Sequence, residues 1–112
     1  QVPPQGMGVW APFWGQPAYT MTLLPRLLQQ TGAAVLLCWC ERLKGGRFAL
    51  HFQPCTALDQ ALQRDAPGPI RQTADLTELT AAMNRDIESL VRAHPQQYLW
   101  GYDRHKQPRE EA

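Results

Sequence analysis

The chain reads as an α/β protein, and two patterns say so. An apolar run over 33–40 is followed by a glycine turn and then by the alternating segment Phe48 to Gln53, the pattern of a strand and its hairpin partner. From Leu76 to Ala93, apolar residues recur at the spacing of one helical face.

Taken in order, residues 1–8 are rich in proline and glycine and read as loop. Val9 to Phe13 suits a short strand, interrupted at Pro12. Phe13-Trp14-Gly15-Gln16-Pro17 forms an aromatic turn, and Pro17 fits a first helical turn, where a missing N–H costs nothing. Tyr19 to Gln30 carries Met21, Leu24, Leu27 and Leu28 at helical spacing, with Pro25 expected to kink or divide the helix. Gly32 is expected to end it in the left-handed position. Ala33 to Arg42 is apolar on both faces, as a central strand covered on both sides would be.

Leu43 to Gly46 makes a turn, and Arg47 to Gln53 returns with Phe48, Leu50 and Phe52 on one face before Pro54 stops it. Ala57 to Leu62 suits one helical turn, followed by a loop over Asp65 to Pro69. Asp75 is the expected N-cap of the long helix, with Glu78 placed to close a capping box. Leu76, Leu79, Met83, Ile87, Leu90 and Val91 form its apolar stripe. Glu88 and Arg92 are spaced as an ion pair, and Pro95 ends the helix.

The 112 residues make one domain or part of one, here taken as a single segment with a loop at 1–8 and a flexible tail at 106–112. A formal charge of +1 says little about partners. The chain opens on Gln1 without the basic and apolar regions of a signal peptide, which suggests a fragment or a processed product. Its longest apolar run is far below the roughly 20 residues that span a bilayer.

Three cysteines do not make a closed disulfide framework. Cys38, Cys40, His51 and Cys55 offer four donors for zinc, but the usual two-residue gap between ligand cysteines is absent. Cys38 and Cys40 read instead as small buried apolar residues, and no metal is expected. The glycine pairs are too short for a phosphate loop or dinucleotide fingerprint, so no cofactor is expected. Ser89 is the sole serine and has no histidine near it in sequence. None of His51, His94 and His105 has an acid placed to orient its ring, and each reads as structural or solvent-facing.

Three features remain as binding candidates. Arg42 ends a strand, where α/β folds gather ligands and where a guanidinium can grip phosphate or carboxylate at two points; it reads equally well as a surface cap. Trp10, Phe13 and Trp14 are either core or the wall of an apolar channel. The tail Tyr98, Trp100, Tyr102, Arg104, His105 and Lys106 alternates aromatic and basic groups. Such a tail can stack nucleobases, sit at a membrane interface, or pack the chain end, with Arg104 and Lys106 best suited to anionic phosphates.

Two segments, Gly8-Val9-Trp10-Ala11-Pro12-Phe13-Trp14-Gly15-Gln16-Pro17-Ala18 and His94-Pro95-Gln96-Gln97-Tyr98-Leu99-Trp100-Gly101-Tyr102-Asp103-Arg104-His105-Lys106, resemble the C-terminal part of the lipid A biosynthesis (lauroyl/myristoyl-type) acyltransferases of Gram-negative bacteria. Asn84, Glu88, Trp100, Tyr102, Arg104 and Lys106 match that family's pattern; Asp103 and His105 depart from it.

The resemblance implies a partial mixed sheet flanked by helices, like the C-terminal half of the glycerol-phosphate acyltransferase fold. It implies transfer of a fatty acyl group from acyl carrier protein or acyl-CoA to a hydroxyl of a lipid A precursor, at the cytoplasmic face of the inner membrane. The membrane would be reached through an N-terminal half that lies upstream, together with the catalytic His-x4-Asp/Glu motif. The fragment alone is then inactive and has no catalytic residue of its own. Its substrate-binding residues would be Trp14, Gly15, Arg42, Tyr102, Arg104 and Lys106, without nucleic acid as a partner. A half-sheet would also leave apolar surface to self-associate or to pair with the upstream half. The alternative is a small self-standing module whose basic-aromatic tail holds nucleic acid or another anionic ligand.

Overall fold

The computed structural model describes residues 2–63 and 75–110 of the chain. The expected loop over Asp65 to Pro69 lies outside the described residues. Two antiparallel hairpins and three helices make up the described fold.

The first hairpin pairs β1 (Gly8–Phe13) with β2 (Gln16–Met21), in register from Gly8 opposite Met21 to Phe13 opposite Gln16. Trp14 and Gly15 form the two-residue turn, with φ of 54° and 73°. Positive φ at both positions matches the right-handed twist of the strands they join. Pro12 and Pro17 lie directly opposite each other, so neither is needed as a ladder donor and β1 runs through Pro12 unbroken.

Residues 16–21 are therefore strand, not the start of a helix as the sequence suggested. The tight turn sends the chain back along β1, where Ala18, Tyr19 and Thr20 are all buried. Helix α1 is confined to Leu23–Thr31. Pro25 falls in its first turn, where no intrahelical N–H bond is lost, so the expected kink does not arise. Gly32 closes α1 at φ 63°, its N–H donating to the Leu28 carbonyl at 2.8 Å.

The second hairpin pairs β3 (Leu36–Arg42) with β4 (Phe48–Pro54), in register from Leu36 opposite Pro54 to Arg42 opposite Phe48. Among the described residues, two separate antiparallel pairs stand where a partial mixed sheet was expected, each strand being joined to its partner by a tight turn. One face of the hairpin carries Leu37, Trp39, Glu41, His51 and Gln53 and is partly covered.

The opposite face carries Leu36, Cys38, Cys40, Phe48, Leu50 and Phe52 and is open, with Leu36, Phe48, Leu50 and Phe52 about three-fifths exposed. The strand expected to be covered on both sides is thus covered on one. Cys38 and Cys40 are exposed rather than buried, while Cys55 is buried.

Helix α2 (Thr56–Ala61) and helix α3 (Leu76–Ala93) complete the fold, followed by a short 3-10 turn at Pro95–Gln97. Leu28, Cys55, Leu58, Leu62, Leu79 and Ala82 form the apolar core, with Leu37 and Val35 packed on its side. At the start of α3, Asp75 is the N-cap residue but its side chain bonds no backbone N–H, so the capping box does not form. The Asp75 carbonyl instead receives the Leu79 N–H.

Candidate functional site

The site is assembled by polar residues of α3 that the apolar stripe did not announce. Asn84 is only 1% exposed. Its side-chain NH2 donates to the Pro12 carbonyl and to Thr20 Oγ1, both at 3.2 Å, which pins both strands of the first hairpin to α3. One turn further along α3, Glu88 Oε1 accepts the backbone N–H of Trp14 at 2.7 Å and fixes the hairpin tip. Glu88 is thereby engaged with the tip, and Arg92 lies 4.8 Å over the Trp14 ring instead of pairing with Glu88 as expected.

The tail returns over this hairpin. Arg104 donates to the Tyr19 carbonyl at 3.0 Å and to Thr20 Oγ1 at 2.8 Å, with its guanidinium 5.6 Å from the Phe13 ring centre. Thr20 is thus saturated: its hydroxyl donates to the Ala18 carbonyl and accepts from Asn84 and Arg104. Burial lowers the pKa of Arg104, because a charged guanidinium loses hydration there; the hydroxyls of Tyr98 and Tyr102 act in the opposite sense. Next to it, His105 Nε2 donates to the Phe13 carbonyl at 2.8 Å. A carbonyl can only accept, so Nε2 carries the proton.

These anchors frame a concavity of about 360 Å³ lined by Phe13, Trp14, Tyr98, Trp100, Tyr102, Arg104 and His105, among others. A second opening of the same size brings Asn84, Ile87 and Leu99 alongside Phe13, Tyr98, Tyr102 and Arg104. Aromatic walls edged by the Arg104 guanidinium and the Asp103 carboxylate suit a ligand that joins apolar or sugar surface to polar groups.

Trp14 carries two marks of strain within the first concavity. Its backbone sits at positive φ, a region that large side chains rarely adopt. Its indole N–H is buried without a hydrogen-bond partner. An unpaired buried donor costs about 1–3 kcal/mol.

Of the residues singled out by sequence, Trp14, Tyr102 and Arg104 meet in this concavity, and Gly15 completes the exposed turn beside Trp14. Lys106 does not line this concavity; its ammonium lies 4.9 Å from the Tyr102 ring. Arg42 stands apart at the end of β3, exchanging backbone hydrogen bonds with the Gln97 side chain. Trp10 packs on Tyr19 at 5.2 Å rather than beside Trp14.

Asn84 and His105 were noted within the family pattern and the tail but not named as substrate-binding residues; the structure places both against the first hairpin. Sequence reasoning missed a histidine–acid pair. His51 Nε2 lies 2.9 Å from Glu41 Oε2 across the β3–β4 ladder, and the His51 ring stacks on Trp39 at 4.5 Å. Hairpin register, not chain spacing, creates this pair. The same register puts Cys38 and Cys40 on the face opposite His51, so the four possible zinc donors do not converge, and the described residues hold no metal-binding cluster.

The model of the bacterial lipid A biosynthesis acyltransferases matches residues 2–107, nearly the whole chain. The chain belongs to the bacterial lipid A biosynthesis acyltransferase family. No curated protein matches it. Within this acyltransferase family member, the motif residues Asn84, Glu88 and Arg104 hold the hairpin, the long helix and the tail in one arrangement. Among the described residues, no helix is long and apolar enough to cross a membrane.

Proposed function

We propose that this chain is the C-terminal part of an enzyme that moves a fatty acyl group from acyl carrier protein or acyl-CoA to a hydroxyl of a lipid A precursor. The family match over 2–107 carries this reading. The aromatic concavity of Trp14, Tyr98, Trp100 and Tyr102 would take apolar or sugar surface of the acceptor. Arg104 spends two N–H donors on the protein and keeps others for an anionic group. Lys106, against Tyr102, would serve the same acceptor or the donor's phosphate, and Arg42, apart at the end of β3, would do so at a separate point.

The base that removes the hydroxyl proton lies upstream, in a His-x4-Asp/Glu motif, and the membrane is reached through that upstream half at the cytoplasmic face of the inner membrane. His51 and Glu41 have the contact of a base and its orienting acid. That pair is formed across a hairpin and is not the His-x4-Asp/Glu motif of this reading, so the chain is expected to be inactive alone.

The test is co-expression of this chain with its upstream half, followed by acyl transfer assays with acyl carrier protein or acyl-CoA donors. Transfer by the assembled protein, abolished by replacing the upstream histidine and absent from the isolated chain, is the expected result. Acyl transfer by the isolated chain, or none by the assembly, overturns the proposal.

A further inference from the structure

We infer that Cys38 and Cys40, on the open face of the β3–β4 hairpin, chelate a thiophilic ion of the copper(I) class. Both thiols are free and exposed. They stand two positions apart on β3 and so share one face, opposite Phe52 and Leu50 of β4. The pair takes no part in the aromatic concavities or their anchors, so it stands independently of the acyltransferase reading.

The spacing excludes the simpler use of two thiols. Two residues of antiparallel strand advance about 6.8 Å, and side chains on one face stand nearly parallel. A disulfide needs Cβ atoms about 3.5–4.5 Å apart, so the two thiols of one chain do not close on each other. A bridging ion relaxes that demand. Strand side chains lean along the strand in either direction with χ1. Two that lean toward each other bring their sulfurs within the ~4.6 Å spanned by two metal–thiolate bonds of about 2.3 Å each.

Ligand number then selects the ion. Beyond the two thiols, the open face of the hairpin offers only apolar side chains and Arg42, none of them a metal ligand. Glu41 and His51 are on the other face and hold each other at 2.9 Å. Two donors fall short of the larger clusters that the described residues lack. Zinc takes four ligands in a tetrahedron, and magnesium and calcium take oxygen. Copper(I) is soft, prefers thiolates, and is satisfied by two of them. Each ion bound releases two thiol protons, and the bis-thiolate complex carries one negative charge. Arg42, the next residue on that face of β3, is placed to compensate it.

The experiment is an anaerobic titration of the intact, reduced chain with copper(I) against a chromophoric copper(I) chelator. It is run at concentrations where the chain sediments as a monomer. One ion per chain at unchanged sedimentation mass is expected, with saturable ¹H–¹⁵N shifts centred on Cys38, Cys40, Leu50 and Phe52. Losing one thiolate turns a chelate into a single-point contact, so Cys38→Ser and Cys40→Ser should each weaken binding by about a hundredfold or more. Cys55→Ala removes the buried thiol and should leave binding unchanged.

Copper retained by the Cys38→Ser/Cys40→Ser double variant, or lost to an equimolar amount of the monothiol glutathione, overturns the site. Half an ion per chain at doubled mass also overturns it, because four thiols of two copies then surround one ion. The serine variants change exposed side chains, and their spectra report directly whether the hairpin is folded. The titration does not read acyl transfer, so failure of the enzyme reading and failure of the copper site are separate results.

Discussion

Arg104 is the residue on which most depends. Among the described residues it is a cation without a carboxylate partner, held by a carbonyl and a hydroxyl of β2. Replacing it with leucine removes two charge-assisted hydrogen bonds, and a loss of about 2–3 kcal/mol in urea unfolding is expected. Lysine carries the charge but lacks the fork that reaches both acceptors, so Arg104→Lys should recover less than half of that loss. A full recovery would show that charge alone matters there.

Cys55 makes a second prediction at this scale. Burial first, then the carboxylates of Asp86 and Asp59, push its thiol from 9.0 up to about 11. The unfolded chain therefore releases this proton at lower pH than the folded chain does. The contribution to stability is complete below pH 9.0 and is lost as pH rises toward about 11. The urea midpoint should fall across that window more steeply for the natural chain than for Cys55→Ala. At pH 8, a thiol reagent should label Cys38 and Cys40 rapidly and Cys55 only on unfolding.

At the scale of elements, helix α3 organises its neighbours through polar side chains. Asp86 is buried, and its two carboxylate oxygens accept the Ala57 N–H at 2.8 Å and the Leu58 N–H at 3.0 Å. The N-terminus of α2 is thus capped from another helix, since Cys55 at its own N-cap position makes no side-chain bond. Asp86→Asn keeps one acceptor oxygen and should cost about 1 kcal/mol, while Asp86→Ala leaves two buried donors unpaired and should cost about 2–4 kcal/mol. Equal losses, measured by urea unfolding, would mean that the cap adds nothing.

Elements governed by local rules were legible in the sequence. The bounds of α3, the Gly32 stop of α1 and the β3–β4 turn all follow from periodicity, glycine and proline. The first hairpin was only half legible. Its turn places Trp14 in a conformation suited to glycine or asparagine, and Glu88, far along the chain, holds it there. Local propensity cannot report such a partner, so Pro17 was read as a helix start. The tail's aromatic and basic residues were visible as a motif. Which of them line the aromatic concavity depends on how the tail packs against the first hairpin, and spacing does not encode that.

For the whole molecule, the open face of the β3–β4 hairpin sets the expected solution behaviour. Leu36, Phe48, Leu50 and Phe52 form a contiguous exposed apolar surface, and the described sheet holds two strands with outer edges unpaired. Surfaces of this kind associate. Sedimentation should show concentration-dependent self-association of the isolated chain, reduced by Leu50→Lys combined with Phe52→Lys. A monodisperse monomer across the accessible concentration range would refute this.

The cap that Asp86 gives to α2 also sets an order in time. A helix of six residues, Thr56–Ala61, is too short to persist alone in water. It gains its cap only when a residue about thirty positions later has arrived on α3. During refolding α2 therefore follows α3 and cannot template it. Destabilising changes on the outer side of α2 should accelerate unfolding and leave the refolding rate nearly unchanged.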